Sequence, residues 1–292
     1  MWIADNWKDY EVIDCSKGEK LERWNNYILV RPDPQVIWDT PQTQQGWVKH
    51  HGHYHRSNKG GGDWEFFDLP PQWTIQYKLP SSHNLTFHLK PFKFKHTGLF
   101  PEQAVNWDWF CKKIQNAKKP VNILNLFAYT GGATIAAAAA GAHVTHVDAS
   151  KGMVSWAKEN AASSDLSAAP IRWIVDDCVK FVEREIRRKN HYDAIIMDPP
   201  SYGRGPNGEI WKIEDKIHPL LKLCRQILSN QPLFFLLNSY TTGLQPAVLS
   251  YLLETELGKF HGIVESQEIG LIVSSNHLVL PCGSSGRWEN SP

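Results

Sequence analysis

From about residue 120 onward, short apolar runs alternate with longer segments in which apolar residues recur at helical spacing. This alternation is typical of a sheet with helices on both faces. The apolar runs predict strands at 121–127, 143–147, 171–175, 194–198, 233–237, 262–274 and 277–280. Helices are predicted at 130–140, 151–163, 179–188, 213–228 and 246–257. The tight connection between the last two strands implies an antiparallel pair, so we expect a doubly wound α/β sheet with an antiparallel edge.

The N-terminal part of the chain has a different pattern, in which β-branched and aromatic runs are separated by proline and glycine. These runs predict short strands at 27–30, 35–38, 64–67, 73–77 and 85–89. The change of pattern divides the chain into three regions. We expect a small β-rich domain over 1–80, a connecting segment over 81–118 and the α/β domain over 119–292.

The composition of the 292-residue chain is that of an ordinary soluble globular protein, with 42% hydrophobic and 21% charged residues. A formal net charge of +1 provides no global basic field, so a nucleic-acid partner would need a local patch. The five cysteines are far apart and form no Cys-x-x-Cys pair. We therefore expect reduced thiols, a cytoplasmic location and no metal site. We expect neither a signal peptide nor a membrane span, because no apolar run is long enough.

One predicted strand ends in an unusually rigid segment, Asp-Pro-Pro-Ser-Tyr at 198–202. The two prolines fix successive φ angles, remove two backbone donors and hold Asp198 extended. A carboxylate, bare backbone carbonyls and an aromatic ring are thereby placed where open α/β sheets bind ligands. The segment would suit a flat substrate group with N–H donors. A proline-rich turn without a ligand is the alternative interpretation.

Three other strand ends carry glycine or acidic residues. The first strand leads into Asn-Leu-Phe-Ala-Tyr-Thr-Gly-Gly at 125–132, where glycine would let the backbone approach a ligand. The second ends at Asp148, whose carboxylate could accept hydrogen bonds from ribose hydroxyls. The third ends in Asp-Asp-Cys at 176–178, which could read an adenine edge. The turn lacks the Gly-x-Gly-x-x-Gly that a pyrophosphate needs, so S-adenosylmethionine is favoured over NAD; a plain α/β turn is the alternative.

These four segments occur in the order and spacing of class I methyltransferases. More narrowly, the chain resembles the bacterial large-subunit ribosomal-RNA base methyltransferases that carry Asp-Pro-Pro-x-Phe. The resemblance covers about residues 90–290 and includes Thr-Gly-Leu-Phe-Pro-Glu-Gln at 97–103, a segment that helps to close over the cofactor in that family. It implies a seven-stranded Rossmann-like methyltransferase sheet and S-adenosyl-L-methionine as the cofactor.

The resemblance also implies roles for individual residues. The residues expected at the methyl group and the target base are Asp198, Pro199, Pro200 and Tyr202. The residues expected to bind the cofactor are Phe100, Gln103, Asn125, Phe127, Ala128, Tyr129, Thr130, Gly131, Asp148, Ala149, Ser150, Asp177, Cys178 and Asp198. Within this set, Phe127, Tyr129 and Gly131 would surround the methionine moiety. Asp148 would contact the ribose, and Asp177 with Cys178 would meet the adenine.

The expected substrate is a nucleobase of ribosomal RNA. Relatives that methylate cytosine C5 use a nucleophilic cysteine just after the fifth strand, where this chain has Asn-Ser-Tyr-Thr-Thr-Gly at 238–243. This departure favours attack by a nitrogen, and Cys282 is the only late substitute for the missing thiol. A protein side chain or a small molecule is an alternative substrate. An RNA-binding module with a degenerate cofactor pocket is a further alternative, and the oligomeric state is left open.

Three other segments have open interpretations. Histidines at 50, 51, 53 and 55 could bind a metal, but a polar loop with an occasional RNA contact is favoured. The locally basic stretch at 78–119, with interleaved aromatic residues, fits either phosphate and base contacts in RNA or a solvated surface. The glycine-rich segment at 203–209 is expected to form a mobile lid over the substrate.

Overall fold

The structure is a computed structural model that describes residues 1–57, 61–92, 95–204 and 210–291. The chain forms two compact units. One comprises Trp2–Val105 with Ile269–Cys282, and the other comprises Asn106–Glu268 with Gly283–Pro292 and Met1. The sequence-based division at residues 80 and 118 differs in its boundaries, and it stays a prediction about domains.

The unit that contains residues 2–105 is rich in β-structure. Its strands are β1 (Trp2–Ile3), β2 (Tyr10–Ser16), β3 (Glu19–Trp24), β4 (Tyr27–Pro32), β5 (Gly52–Arg56), β6 (Gly62–Phe66), β7 (Trp73–Lys78) and β8 (Asn84–Leu89). Strands β2 to β6 form one sheet in sequence order, with a parallel pair only at β4 and β5. Strands β7 and β8 form a separate antiparallel hairpin. Two 3-10 turns lie at Gln45–Trp47 and Pro101–Gln103.

The sequence pattern does not predict β2 and β3, because charged residues interrupt it. Glu22 in β3 is fully buried, and it accepts hydrogen bonds from Arg31 at 2.6 and 2.7 Å and from Tyr10 at 2.7 Å. Burial acts to raise the pKa of this carboxyl, but Arg31 and Lys20 outweigh burial and lower the pKa to about 2. A paired charge therefore occupies an inward position that a polarity pattern would mark as exposed.

The predicted strand at 35–38 is wrong, since these residues lie outside any strand. Pro32 and Pro34 precede the segment and lack the N–H groups that a ladder requires. Individual hydrogen bonds hold the segment instead: the Lys17 amide donates to the Trp38 carbonyl at 2.9 Å, and the Trp38 indole donates to the Cys15 carbonyl at 3.0 Å.

The second unit contains the alternating strands and helices. Its strands are β9 (Asn122–Leu126), β10 (His143–Asp148), β11 (Ile171–Val175), β12 (Ala194–Met197), β13 (Tyr202–Arg204), β14 (Ile210–Lys212), β15 (Phe234–Ser239), β16 (Gly262–Ile272) and β17 (Val279–Asn290). The helices are α1 (Ala104–Asn116), α2 (Gly132–Ala139), α3 (Lys151–Ser163), α4 (Cys178–Arg188), α5 (Ile213–Cys224) and α6 (Pro246–Leu257). Two 3-10 turns follow α5 and α6, at Arg225–Ile227 and Gly258–Phe260. The far ends of β16 and β17, residues 269–282, count with the other unit.

The strand order confirms the doubly wound, methyltransferase-like sheet. The sheet has eight strands in the order β1-β16-β17-β15-β12-β9-β10-β11, one more than the seven that the resemblance implies. The pairs from β15 to β11 are parallel, whereas β15 and β17 are antiparallel. The antiparallel strand thus lies one place inside β16, and β1 pairs in parallel with the far end of β16. The strand order reverses between β9 and β12, and such a switch point is where open α/β sheets bind ligands.

The last strand is much longer than the sequence predicts, since β17 reaches Asn290. Its second half, Gly-Ser-Ser-Gly at 283–286, has a composition typical of a loop. A Cβ on Gly286 would lie 2.9 Å from Leu253 and 3.1 Å from Leu249, so helix α6 packs directly on this backbone. Small residues are therefore required by packing rather than by a turn.

The core of this unit lies between the sheet and its helices. Strands β12 and β15 are buried along their whole length, as central parallel strands must be. Across the residues that the structure describes, no helix is long and apolar enough to cross a lipid bilayer.

Candidate active site

The turn after β9 has an unusual backbone. Phe127, Tyr129 and Gly131 all have positive φ angles, of 54°, 51° and 86°. Left-handed conformations are strained for residues with a side chain, and such strain concentrates at functional sites. Two hydrogen bonds from backbone amides hold the turn. The Phe127 amide donates to Cys178 Sγ at 3.3 Å, and the Ala128 amide donates to the Val147 carbonyl at 3.1 Å. We call residues 127–131 the glycine turn.

Gly131 in this turn and Gly132 at the start of α2 both lie close to neighbouring helices. A Cβ on Gly131 would lie 2.9 Å from the Cβ of Ala157 in α3, and a Cβ on Gly132 would lie 2.8 Å from the Trp107 ring in α1. The expectation that glycine here lets the backbone approach a ligand stays a prediction. The two glycines let the turn lie close to α1 and α3, and Gly131 also supplies the left-handed φ.

Asp148, at the end of β10, is tied to the glycine turn. One carboxylate oxygen accepts a hydrogen bond from the Tyr129 amide at 2.9 Å, and the other accepts from the Ser150 amide at 2.8 Å. Burial raises the pKa of Asp148, and these two backbone hydrogen bonds oppose the rise. Each carboxylate oxygen can accept a second hydrogen bond, so the group can still receive two hydroxyl donors.

Below the turn, several buried polar side chains form hydrogen bonds. Asn125 Nδ2 donates to Thr134 Oγ1 at 2.9 Å, and Thr134 Oγ1 lies 2.9 Å from His146 Nδ1. Asn160 Nδ2 donates to the Thr130 carbonyl at 3.0 Å. Burial lowers the pKa of His146 to about 3, so the ring is neutral at physiological pH. These hydrogen bonds support the turn from the inside of the protein. Of the residues that form them, the sequence pointed only to Asn125 and Thr130.

The acidic segment after β11 makes local contacts at the start of α4. Asp177 is the N-cap of α4 and accepts from the Lys180 amide at 2.9 Å, while its own amide donates to Asp176 at 2.9 Å. Asp176 also forms an ion pair with Arg184. Cys178 is buried under the glycine turn. The predicted adenine contacts of Asp177 and Cys178 stay predictions.

The Asp-Pro-Pro segment lies beside the glycine turn. Met197, the last residue of β12, pairs in register with Leu126, the last residue of β9. Asp198 and Phe127 therefore leave the sheet side by side at the switch point. Pro199 is buried and Pro200 is exposed. We call residues 198–201 the lip.

Three hydrogen bonds hold the end of the lip. The Trp211 indole donates to the Pro200 carbonyl at 2.6 Å, the Ile213 amide donates to the Ser201 carbonyl at 3.1 Å, and Thr241 Oγ1 donates to Ser201 Oγ at 2.6 Å. The expectation that the carbonyls of the prolines are bare is therefore wrong for Pro200.

The next residue, Tyr202, begins β13 and is 51% exposed.

The match to a protein-family model shows which family this chain belongs to. The model for S-adenosylmethionine-dependent methyltransferases matches residues 38–243, which include the glycine turn, Asp148 and the lip. The chain belongs to the S-adenosylmethionine-dependent methyltransferase family. Its cofactor is S-adenosylmethionine, as the sequence predicts.

Individual relatives support the same assignment. The crystal structure of a SAM-dependent methyltransferase from Agrobacterium tumefaciens is 36% identical, with a TM-score of 0.92 over 99% of this chain and 93% of that one. The ribosomal RNA large subunit methyltransferase K/L of Shewanella frigidimarina is 34% identical over 165 residues, 56% of this chain and 22% of that protein. The protein of the same name from Pseudoalteromonas atlantica is 40% identical over 117 residues, 40% of this chain and 16% of that protein. This methyltransferase thus spans about a fifth of the length of these curated relatives.

The residues of the methyltransferase fit the cofactor. Asp148 offers a carboxylate with acceptor capacity for the two ribose hydroxyls. S-adenosylmethionine has no phosphate, so its binding does not need the Gly-x-Gly-x-x-Gly that the turn lacks. Ala149 and Ser150 are exposed beside Asp148, and Ser150 caps α3. Phe100 and Gln103 belong to the other compact unit, so their predicted role stays a prediction.

Burial disfavours the reactive form of the thiols of the methyltransferase. Burial raises the pKa of all five thiols, to about 11 for Cys15 and further for Cys111, Cys178, Cys224 and Cys282. A thiolate is the reactive form, so these protonated thiols are poor nucleophiles at neutral pH.

The place of the missing cysteine, after β15, is occupied by a structural amide. The Asn238 Oδ1 accepts hydrogen bonds from Ser285 Oγ at 2.5 Å and from Asn106 Nδ2 at 3.2 Å. Arg287 donates to Asn106 Oδ1 at 2.7 and 3.0 Å, and burial lowers the pKa of Arg287 to about 9. This buried network joins α1, β15 and β17, and the sequence pattern did not indicate it.

The remaining predicted segments are resolved in part. The described part of the chain has no cluster of three or more metal-ligating side chains. His53 and His55 lie in β5, not in a loop, and they contact Glu19 at 2.6 Å and Glu65 at 2.9 Å. Lys93, Phe94 and most of the expected lid, residues 205–209, lie outside the described residues.

Proposed function

We propose that this protein transfers a methyl group from S-adenosylmethionine to a nitrogen of a nucleobase in ribosomal RNA. The observation that carries the proposal is the register that pairs Leu126 with Met197. Because of this register, the glycine turn and the lip leave the sheet next to each other. This is the arrangement that an in-line transfer between two bound groups requires, because rate depends on alignment. The relatives from Shewanella frigidimarina and Pseudoalteromonas atlantica are ribosomal RNA large subunit methyltransferases, which supports ribosomal RNA as the substrate.

The cofactor supplies an activated methyl group, so the protein has to orient the acceptor nitrogen. An exocyclic amine of the base would donate to the Asp198 carboxylate and the Pro199 carbonyl, which turns its lone pair toward the methyl carbon. The Pro200 carbonyl is engaged with Trp211 and fixes the lip. A base within a duplex would first have to be flipped out of its stack.

The thiols support nitrogen over cytosine C5 as the acceptor. Attack through C5 needs a nucleophile that first adds to the ring, whereas a nitrogen attacks the methyl carbon directly. Burial raises the pKa values of the five thiols and so disfavours the thiolate that the first route needs. Reduced thiols also agree with the proposed cytoplasmic location.

The β-rich unit is the proposed RNA-binding part of the chain. On β6, the rings of Trp64 and Phe66 are stacked with centroids 5.9 Å apart, and Phe66 is 52% exposed. Phe92 is also exposed in the same unit. Exposed aromatic faces can stack on unpaired bases. The basic stretch at 78–119, which begins in this unit and continues into the other, can contact phosphates.

The test is methyl transfer from labelled S-adenosylmethionine to ribosomal RNA that lacks its modifications, followed by mass spectrometry of the methylated nucleotide. We expect label in RNA, on a base nitrogen. An Asp198→Asn variant keeps the shape of the lip but not the charge, so its kcat should fall at least about 100-fold while the affinity for S-adenosylhomocysteine changes little. Wild-type turnover by this variant would remove Asp198 from the mechanism.

Two other outcomes would change the assignment. Label that appears only when cell protein or small molecules replace the RNA would make one of them the substrate. An absence of S-adenosylmethionine binding in calorimetry would favour an RNA-binding module with a degenerate pocket.

A further inference from the structure

The short hairpin of β13 and β14 follows the lip directly and folds back over it. Gly203 lies opposite Trp211 in the ladder, so both point to the same face of the hairpin. A Cβ on Gly203 would lie 3.8 Å from Pro200 Cγ and 3.8 Å from Trp211 Cβ. The face of the hairpin that carries Gly203 and Trp211 therefore lies next to Pro200, and Trp211 is the large side chain on that face.

Trp211 makes a polar contact with the lip. Its indole N–H donates to the Pro200 carbonyl at 2.6 Å. Both flanking prolines lack an N–H group and cannot anchor the lip through their own backbone donors. The hydrogen bond from the hairpin therefore fixes the plane of the peptide that follows Pro200.

Trp211 also makes an aromatic contact with the glycine turn. The ring centroids of Trp211 and Phe127 are 5.0 Å apart, with an interplanar angle of 53°. Phe127 has the left-handed φ of 54°, and its amide is held by Cys178 Sγ. A displacement of the turn would therefore move Trp211, which is also the side chain that holds the lip.

We propose that Trp211 is a positioning residue that joins the glycine turn to the lip, so that occupation of the cofactor site orders the surface that receives the methyl acceptor. The inference rests on the proposed function, because it assigns the two loops to cofactor and acceptor. Indole combines a donor at one end with a broad apolar face, and both are used here. Phenylalanine keeps the face and loses the donor.

The consequence for transfer follows from geometry. A misplacement of about 1 Å in a reacting group can lower the rate about 100-fold. Cofactor binding and acceptor alignment would be coupled through Trp211, and the removal of its donor should uncouple them. The cofactor would then still bind, but the lip would not respond to it.

The experiment compares the wild-type full chain with Trp211→Phe in three measurements. Calorimetry gives the affinity for S-adenosylhomocysteine, which should change less than about twofold because the ring contact with Phe127 is kept. Hydrogen exchange of the Ser201–Gly203 amides is measured with and without S-adenosylhomocysteine. We expect protection by the ligand in the wild type and none in the variant. Turnover on RNA should show a kcat about tenfold lower, with a smaller change in the KM for S-adenosylmethionine.

A matched control is Trp38→Phe, which removes an indole hydrogen bond to the Cys15 carbonyl in the other unit. It should leave all three measurements unchanged. The proposal would be overturned if Trp211→Phe kept the ligand-induced protection, if the wild type showed none, or if the variant lost thermal stability and cofactor affinity together, as a purely structural residue would.

The outcome can be separated from that of the proposed function. Hydrogen exchange and calorimetry need only the cofactor product, so they judge Trp211 even if ribosomal RNA proves to be the wrong acceptor. A failure of wild-type transfer to RNA, with the protection pattern as expected, rejects the substrate and retains the coupling.

Discussion

At the scale of single residues, burial decides which polar groups of the site are charged. Asp148 carries its carboxylate beneath the turn with a raised pKa, and two backbone amides keep the charged form accessible. His146 lies deeper and has no charged neighbour that contributes to its shift, so desolvation alone lowers its pKa to about 3. Asp148 can therefore accept hydrogen bonds from a ligand, whereas His146 stays neutral and supports the turn.

The ionised form of Asp148 should control cofactor affinity. An Asp148→Asn variant should bind S-adenosylhomocysteine about 10- to 100-fold more weakly, since hydrogen bonds to a charged acceptor contribute about 1.5–3 kcal/mol. Wild-type affinity should also fall as the pH drops toward the raised pKa, and the variant should lack this dependence. Calorimetry across pH tests both, with exposed Asp165→Asn as the control. Unchanged affinity in Asp148→Asn would remove Asp148 from the ribose site.

His146 should contribute to the pH dependence of stability. Its pKa is about 3 in the folded protein and about 6.5 when unfolded, so between these values the unfolded chain binds more protons. Stability is then full above the unfolded pKa and falls as the pH drops, by up to about 1.4 kcal/mol per pH unit from this group. Denaturation of His146→Asn should show a shallower slope between about pH 5 and 7 than the wild type. Parallel slopes would contradict the assignment.

At the scale of elements, the turn and the lip owe their shapes to the helices and strands that flank them. Helix α3 lies so close to the glycine turn that a Cβ on Gly131 would meet Ala157. On the other side of the site, the hairpin, the start of α5 and the segment after β15 each contribute a hydrogen bond to the lip. Neighbouring elements therefore hold both loops in the conformations described.

Gly131 should be less replaceable than another left-handed glycine of the same unit. Gly141 also has a positive φ, of 99°, but a Cβ there would meet nothing within 4 Å. Gly141→Ala should therefore lose about 1 kcal/mol of stability from backbone strain alone. Gly131→Ala adds the overlap with Ala157 and should lose about 2–4 kcal/mol. Urea denaturation measures both, and equal losses would show that packing against α3 is not the constraint.

At the scale of the whole molecule, the compact unit around residues 2–105 includes a segment from far along the chain. Ser274 donates to the Val12 carbonyl at 2.9 Å, and Val12 forms a β-bridge with Val273. Ile269, Val273 and Leu280 are almost fully buried. The chain therefore enters this unit twice, and a cut at residue 105 does not separate the two units.

A fragment that begins at Asn106 should fold poorly. It would keep residues 269–282 without the strands that cover them, and buried apolar side chains would be exposed to water. We expect aggregation in gel filtration, or a thermal midpoint well below that of the full chain. Co-expression with residues 1–105 should restore a soluble complex. A monodisperse fragment with the midpoint of the full chain would contradict this picture.

The sequence predicted the sheet well because its signal is local. Helices Lys151–Ser163 and Pro246–Leu257 have the bounds that the sequence predicts, since Ser150 caps one helix and Pro246 begins the other. Errors occur where a distant partner decides the structure. Strand β3 buries Glu22 because Arg31 pairs with it, and the second half of β17 is a strand because α6 packs on Gly286.

By itself, the sequence determined the alternation of strands and helices, the segments at the strand ends and the cofactor. Apolar spacing, glycine and proline act on the backbone nearby, so they can be interpreted one segment at a time. Only the tertiary structure decided that Gly131 and Gly132 lie against α3 and α1, that the Pro200 carbonyl accepts a hydrogen bond, and that Trp211 contacts both loops. These facts depend on distances between residues far apart in the chain, which no local pattern encodes.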